Sequence, residues 1–98
     1  MEVINELLGA KERAILGAVS RGAFRARARA SQLPELASEP AGELMLYDTL
    51  RRFEAAGLVR SRRGVRGREY ALTSKGRALL RMQHRFQRAL FGLVVRSA

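Results

Sequence analysis

The apolar residues of this chain recur at helical spacing in several places, and the clearest repeat lies between residues 43 and 56. There the apolar side chains are four and three residues apart, at Leu46, Leu50 and Phe53. Gly57 follows directly and can end the helix that this spacing predicts. Residues 2–8 and 10–20 also carry one apolar helical face each, either as two helices or as one bent helix. In the second of these segments the predicted core positions are Ala14, Ile15, Ala18 and Val19.

The longest apolar repeat comes last, after Thr73 or Ser74, either of which can cap the helix that it predicts. Its apolar positions step by three and four residues and form a narrow seam: Leu79, Met82, Phe86, Leu90 and Leu93. Such a seam can close the core of its own chain or pack against a second helix. Because a helix of about 20 residues is longer than a small core needs, we predict a homodimer seam. It is joined by the N-terminal residues Ile4, Leu7 and Leu8.

Residues 24–30, FRARARA, alternate with period two instead. The apolar side chains fall on one side and the charged ones on the other, which predicts a short strand or an extended segment. The charged side holds Arg25, Arg27 and Arg29, which either face phosphates or form a solvated edge that resists aggregation. After this segment, residues 31–37 predict a short helix begun by Ser31, and residues 38–42 predict a turn.

A second alternating region predicts a β-hairpin, with strands at 58–62 and 68–72 around a turn at 64–67. Tyr70 and Leu72 face the core on the returning strand. Five arginines crowd this hairpin: Arg60, Arg62, Arg63, Arg66 and Arg68. Their mutual repulsion calls for an explanation that the hairpin alone does not give.

The charge balance supplies a candidate explanation. The 98 residues carry a net charge of +10, and residues 58–77 alone carry +6, whereas residues 31–57 carry −3. A strongly basic balance indicates a polyanionic partner, most often nucleic acid, although a solvated basic surface has the same composition.

Other classes of function find little support in the composition. The chain has no cysteine and one histidine, His84, so disulfides and thiolate metal sites are excluded and no cofactor is expected. No nucleophile, phosphate-binding glycine loop or paired carboxylates indicate an enzyme. No apolar run is long enough to span a membrane and the N-terminus is unlike a signal peptide, so we expect a cytoplasmic protein.

Residues 46–80 resemble the core of bacterial and archaeal winged-helix transcription regulators, over about a third of the chain. The motifs are LY at 46–47, LRRFE at 50–54, GLV at 57–59 and YALTSKG at 70–76. They are most similar to the PadR-like group and more loosely similar to the MarR-like and ArsR-like groups. The resemblance implies a mainly α fold with a small β-hairpin wing, a winged helix-turn-helix with a long C-terminal helix. We expect one domain over residues 1–98, with a core at about 10–73 and a dimerisation helix at about 74–95.

In the resembled regulators the third helix enters the major groove of DNA and the wing contacts the neighbouring minor groove or backbone. With Leu46, Leu50 and Phe53 facing the core, we expect Met45, Thr49 and Arg52 with Asp48 on the outward face of this helix, and Tyr47 and Arg51 beside it. On the wing, Arg66 at the tip is the expected minor-groove contact. The full set of predicted DNA-binding residues is Arg25, Arg27, Arg29, Met45, Tyr47, Thr49, Arg51, Arg52, Arg62, Arg63, Arg66 and Arg68.

These observations together predict a dimeric regulator that binds double-stranded DNA and represses transcription by occluding a promoter. A two-fold dimer would present its two third helices about one DNA turn apart. Two alternatives remain open at the sequence level. The acidic third helix, with Glu43, Leu44 and Met45, suits a protein–protein interaction module, and the arginines suit an architectural binder without sequence preference.

Overall fold

A computed structural model describes residues 8–24 and 28–97, and the side chains of these as far as residue 85. The elements in chain order are helix α1 (Ala10–Ser20), a 3-10 helix (Ala30–Gln32), helix α2 (Pro34–Ala37), helix α3 (Gly42–Ala55), strands β1 (Val59–Gly64) and β2 (Gly67–Leu72), and helix α4 (Ser74–Ser97). The chain is mainly helical with one small antiparallel hairpin, as the sequence predicted. No helix within this described part is long and apolar enough to cross a membrane. The helix predicted at residues 2–8 lies outside it.

The core lies between α1, α3 and the hairpin. All three apolar positions predicted on α3 are buried, at Leu46, Leu50 and Phe53. On α1 the buried face is formed by Ile15, Leu16, Ala18 and Val19. Leu16 therefore takes the core position that the sequence reading gave to Ala14, which is only half-buried. The larger side chain of leucine gains more from burial than the methyl group of alanine.

The segment between α1 and α2 follows its predicted alternation but not its predicted backbone. Phe24, Ala28 and Ala30 are buried and Arg29 is exposed. The predicted strand is wrong at the described residues, because Phe24 lies in a turn and Ala30 begins the 3-10 helix. The alternative, an extended segment, is found at Arg29, with φ −138° and ψ 139°. The backbone N–H groups of Arg29 and Ala30 donate to side chains, at 2.7 Å each, rather than to a neighbouring strand. One sheet-like bond remains, from Tyr70 N–H to the carbonyl of Phe24.

The short helix predicted at 31–37 is divided in two. Ser31 lies inside the 3-10 helix, and α2 begins only at Pro34. Proline suits the first position of a helix, since its missing N–H would have no partner there. Leu36 of α2 is completely buried, so even this short helix contributes to the core.

The hairpin pairs Val59 with Leu72 at its base and Gly64 with Gly67 at its tip. The turn is therefore the two residues between these glycines. Tyr70 and Leu72 are buried, as predicted. Gly57 joins α3 to β1 with a φ of +79°, a conformation that a residue with a Cβ rarely adopts, so its predicted role as the helix end is confirmed.

Helix α4 begins close to the base of the hairpin. The hydroxyl of Thr73 accepts a hydrogen bond from the N–H of Gly76 at 3.1 Å, which confirms Thr73 as the predicted cap. Gly76 itself is buried, and a Cβ placed there would lie 2.1 Å from the carbonyl oxygen of Leu58. The absence of a side chain at residue 76 is what allows α4 to approach Leu58, the residue before β1, this closely.

Candidate functional site

Helix α3 turns a different side to solvent from the one predicted. Thr49 is completely buried, so its predicted place on the outward face is wrong. Met45 is half-buried and packs against the core. Asp48 and Arg52 are exposed as predicted, and the side opposite the three core residues is centred on Leu44, Asp48, Arg51 and Ala55. A helix turns by about 100° per residue, so the directions of Leu46, Leu50 and Phe53 already indicated this face.

Arg52 is exposed but its guanidinium is engaged within the protein. It contacts Asp48 one turn earlier and Glu12 of α1, at 3.3 Å in both cases. It also donates to the hydroxyl of Thr49 at 3.3 Å. The i, i+4 pair with Asp48 was expected from the sequence. Arg52 therefore ties α3 to α1, whereas the sequence reading assigned it to a base edge.

The carboxylates near α3 have partners of their own. Glu43 accepts the backbone N–H of Ala30 at 2.7 Å and so fixes the start of the 3-10 helix. Glu54, near the other end of α3, accepts the hydroxyl of Ser61 on the hairpin at 2.8 Å. With Asp48 held by Arg52, these acidic residues act as structural contacts. Their carboxylate groups accept hydrogen bonds from donors of the protein itself.

The two faces of the hairpin carry different arginines. Side chains alternate across a strand, so one face holds Val59, Ser61, Arg63, Arg68, Tyr70 and Leu72. The opposite face holds Arg60, Arg62, Glu69 and Ala71. On that opposite face Arg62 pairs with Glu69 at 2.8 Å. Arg62 was predicted to act together with Arg63 and Arg68, but the structure places it on the other side of the sheet.

The face with Arg63 and Arg68 adjoins the exposed side of α3. Burial raises the pKa of Tyr70 on this face, and the nearby Arg68 opposes that shift. Tyr47 and Arg51 of α3 are close enough to act on the same hydroxyl group. Tyr47 also donates from its hydroxyl to the carbonyl of Ala28 at 2.6 Å, next to Arg29.

These residues form one basic surface, which we call the front face: Arg29, Tyr47, Arg51, Arg63, Arg66 and Arg68. All six are exposed. Arg68 donates to the hydroxyl of Ser61 at 3.0 Å, and the same hydroxyl donates to Glu54 at 2.8 Å. At the tip, Arg66 stands beside Val65, whose side chain is fully exposed. Within the described residues no carboxylate lies within ion-pair distance of Arg51, Arg63 or Arg66.

The remaining predicted site residues are only partly described. Arg25 and Arg27 lie outside the described residues, as do Ile4, Leu7 and the side chains of Phe86, Leu90 and Leu93. Leu8 and Leu79 are half-buried against the core of their own chain, and Met82 is 37% exposed. Packing within one chain therefore accounts for Leu8 and Leu79 in part.

The described residues hold no group of three or more histidine, cysteine, aspartate or glutamate side chains that could bind a metal ion. The comparison with known proteins adds no further constraint. No family model, curated protein or solved structure matches this chain.

Proposed function

We propose that this chain is a winged helix-turn-helix protein, similar to PadR-like regulators, that binds duplex DNA and regulates transcription. Helices α2 and α3 would form the helix-turn-helix, and the hairpin would form the wing. One observation carries the proposal: the front face brings exposed residues of α3 and arginines of the hairpin onto adjoining elements. Its arginines lack acidic partners among the described side chains.

The front face explains the crowding of arginines that the sequence raised. Phosphates of a duplex would neutralise Arg63, Arg66 and Arg68, and the release of counterions would drive binding. The wing tip is narrow, because its two-residue turn is flanked by Gly64 and Gly67. A narrow tip with an exposed arginine suits entry into a minor groove.

Helix α3 would supply the sequence-reading part of the interface. Arg51 is the exposed arginine on its outward side, and it has the donor geometry for a guanine edge or for a phosphate. Tyr47, already held by its hydrogen bond to Ala28, suits a backbone contact. Arg51 thus takes the role that the sequence reading had given to Arg52.

A homodimer that covers a promoter would act as a repressor by excluding the polymerase. Two copies of the front face would double the phosphate contacts, and two α3 helices one DNA turn apart would read a palindromic site. Repression by occlusion requires only tight, sequence-selective binding and no effector or cofactor.

The test is fluorescence anisotropy with a duplex taken from upstream of the gene for this chain and a scrambled duplex of equal length. We expect tighter binding to the upstream duplex that persists at physiological salt. The double variant Arg63→Gln, Arg66→Gln should weaken binding to both duplexes by about tenfold or more and reduce the salt slope by about 2. The double variant Arg60→Gln, Arg62→Gln is the matched control, because it also removes two charges, from the opposite face of the same hairpin.

Equal affinity for both duplexes would contradict a sequence-reading regulator and favour an architectural binder. Weak binding to every duplex would favour the second candidate, a protein-interaction module. A specific observation supports that candidate: Leu44, on the exposed side of α3, is 73% exposed. In that case Leu44→Ala would abolish a protein complex while leaving the weak DNA binding unchanged.

A further inference from the structure

A second basic surface lies behind the hairpin. Two adjoining hollows, of about 750 and 650 Å³, share the residues Ser20, Leu72 and Arg77. Together they form one groove between the end of α1, the far face of the hairpin and α4. We call it the rear groove. None of the front-face residues contributes to its walls.

The walls of the rear groove carry a row of arginines. Arg77, Arg81 and Arg85 follow one another four residues apart along α4, which places them on one side of the helix at intervals of about 6 Å. Arg60 extends the row onto the hairpin. Within the described residues none of these four arginines has a carboxylate at ion-pair distance.

This row works against the stability of the isolated chain. Like charges four residues apart on a helix repel each other, and the row contains two such pairs. The one described carboxylate in the groove, Glu69, is already paired with Arg62 at 2.8 Å. Within the part of the chain that the structure describes, no carboxylate is left to compensate the positive charge of the row.

The arrangement of the row favours an extended ligand over a compact one. Its charges repeat at regular intervals along a straight helix, as do the charges of a phosphodiester backbone. The arginines of the row are not needed to pack α4 against the core. Leu79, which contacts the core, lies on the other side of the helix. A duplex against the front face leaves the rear groove open, since the two faces of a hairpin point in opposite directions.

We infer that the rear groove binds the phosphate backbone of a second DNA segment, so that the protein bridges two duplexes. This inference rests on the proposed function for the first duplex. It adds a second site, with Arg77, Arg81 and Arg85 as its contacts, and it requires no base recognition there.

The experiment measures bridging directly. A biotinylated upstream duplex is immobilised, the full chain is added, and capture of a second, fluorescent duplex of scrambled sequence is recorded over a range of salt concentrations. The triple variant Arg77→Gln, Arg81→Gln, Arg85→Gln should lose capture of the second duplex by tenfold or more. Its affinity for the upstream duplex alone should change less than threefold. The corresponding triple lysine variant keeps the charge and should retain capture.

The controls separate the two proposals. The front-face variant Arg63→Gln, Arg66→Gln should lose affinity for the immobilised duplex itself. If the wild type binds the upstream duplex tightly but captures no second duplex, the rear-groove inference is overturned and the proposed function stands. The inference is also overturned if the triple glutamine variant still bridges, because bridging then comes from two front faces of a dimer. A third outcome is bridging that is lost in the triple glutamine variant but is equally strong when the immobilised duplex has the upstream or the scrambled sequence. This outcome supports the rear-groove inference and contradicts the sequence-reading regulator.

Discussion

Two adjacent arginines of α3 show how strongly the surroundings of a residue determine its role. Arg51 and Arg52 have the same side chain and neighbouring positions, yet only Arg52 reaches the carboxylates of Asp48 and Glu12. Arg51 points away from both and onto the front face. A guanidinium that already donates hydrogen bonds within the protein has fewer N–H donors left for a phosphate or a base.

We therefore expect Arg51→Ala to weaken binding to the upstream duplex by about tenfold, within the range of 1–3 kcal/mol that a specific arginine contact provides. Arg52→Ala should weaken it less than about threefold but lower the free energy of unfolding by about 0.5–1 kcal/mol, because exposed ion pairs contribute little each. Anisotropy titrations and urea unfolding measure the two effects. A larger loss of DNA affinity for Arg52→Ala than for Arg51→Ala would show that Arg52, and not Arg51, makes the specific contact with DNA.

At the scale of the elements, the close approach of α4 to Leu58, the residue before β1, depends on one position. A Cβ at residue 76 would lie 2.1 Å from the carbonyl oxygen of Leu58, and backbone atoms cannot move aside as a flexible side chain can. We expect Gly76→Ala to lower the free energy of unfolding by about 1–3 kcal/mol, although alanine favours a helix by about 1 kcal/mol over glycine. Urea unfolding followed by circular dichroism measures the change.

Gly17→Ala is the matched control for this prediction. Gly17 also lies inside a helix, but the nearest atom to its added Cβ is the terminal Nη1 of Arg21, at 3.3 Å, which can move. This substitution should raise the free energy of unfolding by about 0.5–1 kcal/mol through helix propensity. If both substitutions had the same effect, close packing at Gly76 would not explain its presence.

The sequence predicted the elements whose signals are local. Helix α3, the turn at Gly57, the cap at Thr73 and the inward side chains of the hairpin each follow from spacing or from the conformational preference of one residue. The segment 24–30 was predicted less well, because the carboxylate of Glu43, thirteen residues further along the chain, takes the N–H of Ala30. Contacts between separate elements leave no periodic pattern in the sequence.

The sequence identified which residues belong to the candidate site, but not how they are arranged in space. The arginines were identified, but their division between the two faces of the hairpin follows from the strand register. The register fixes which of Arg60, Arg62, Arg63 and Arg68 lie on the same side. Thr49 was misplaced for a simpler reason: its direction on the helix is next to that of Phe53, at the edge of the core face.

At the scale of the whole molecule, the length of α4 is the feature that one chain explains least. Its 24 residues extend over about 36 Å. The apolar seam of the sequence continues along it through Phe86 and Leu90 to Leu93. A second copy of the helix would cover this continuation, and it would also fix the separation of the two front faces.

We expect the protein to elute with the mass of a dimer in size-exclusion chromatography with light scattering. The double variant Leu90→Glu, Leu93→Glu should elute as a monomer, because buried carboxylates in an apolar seam carry a high desolvation cost. It should also lose affinity for a palindromic duplex by tenfold or more while keeping the wild-type affinity for a half-site. Arg88→Glu, which adds a negative charge on the same stretch of α4 outside the seam, is the control and should remain a dimer. A wild type that is monomeric at every concentration, and that binds the palindrome no more tightly than the half-site, would show that each copy binds DNA alone.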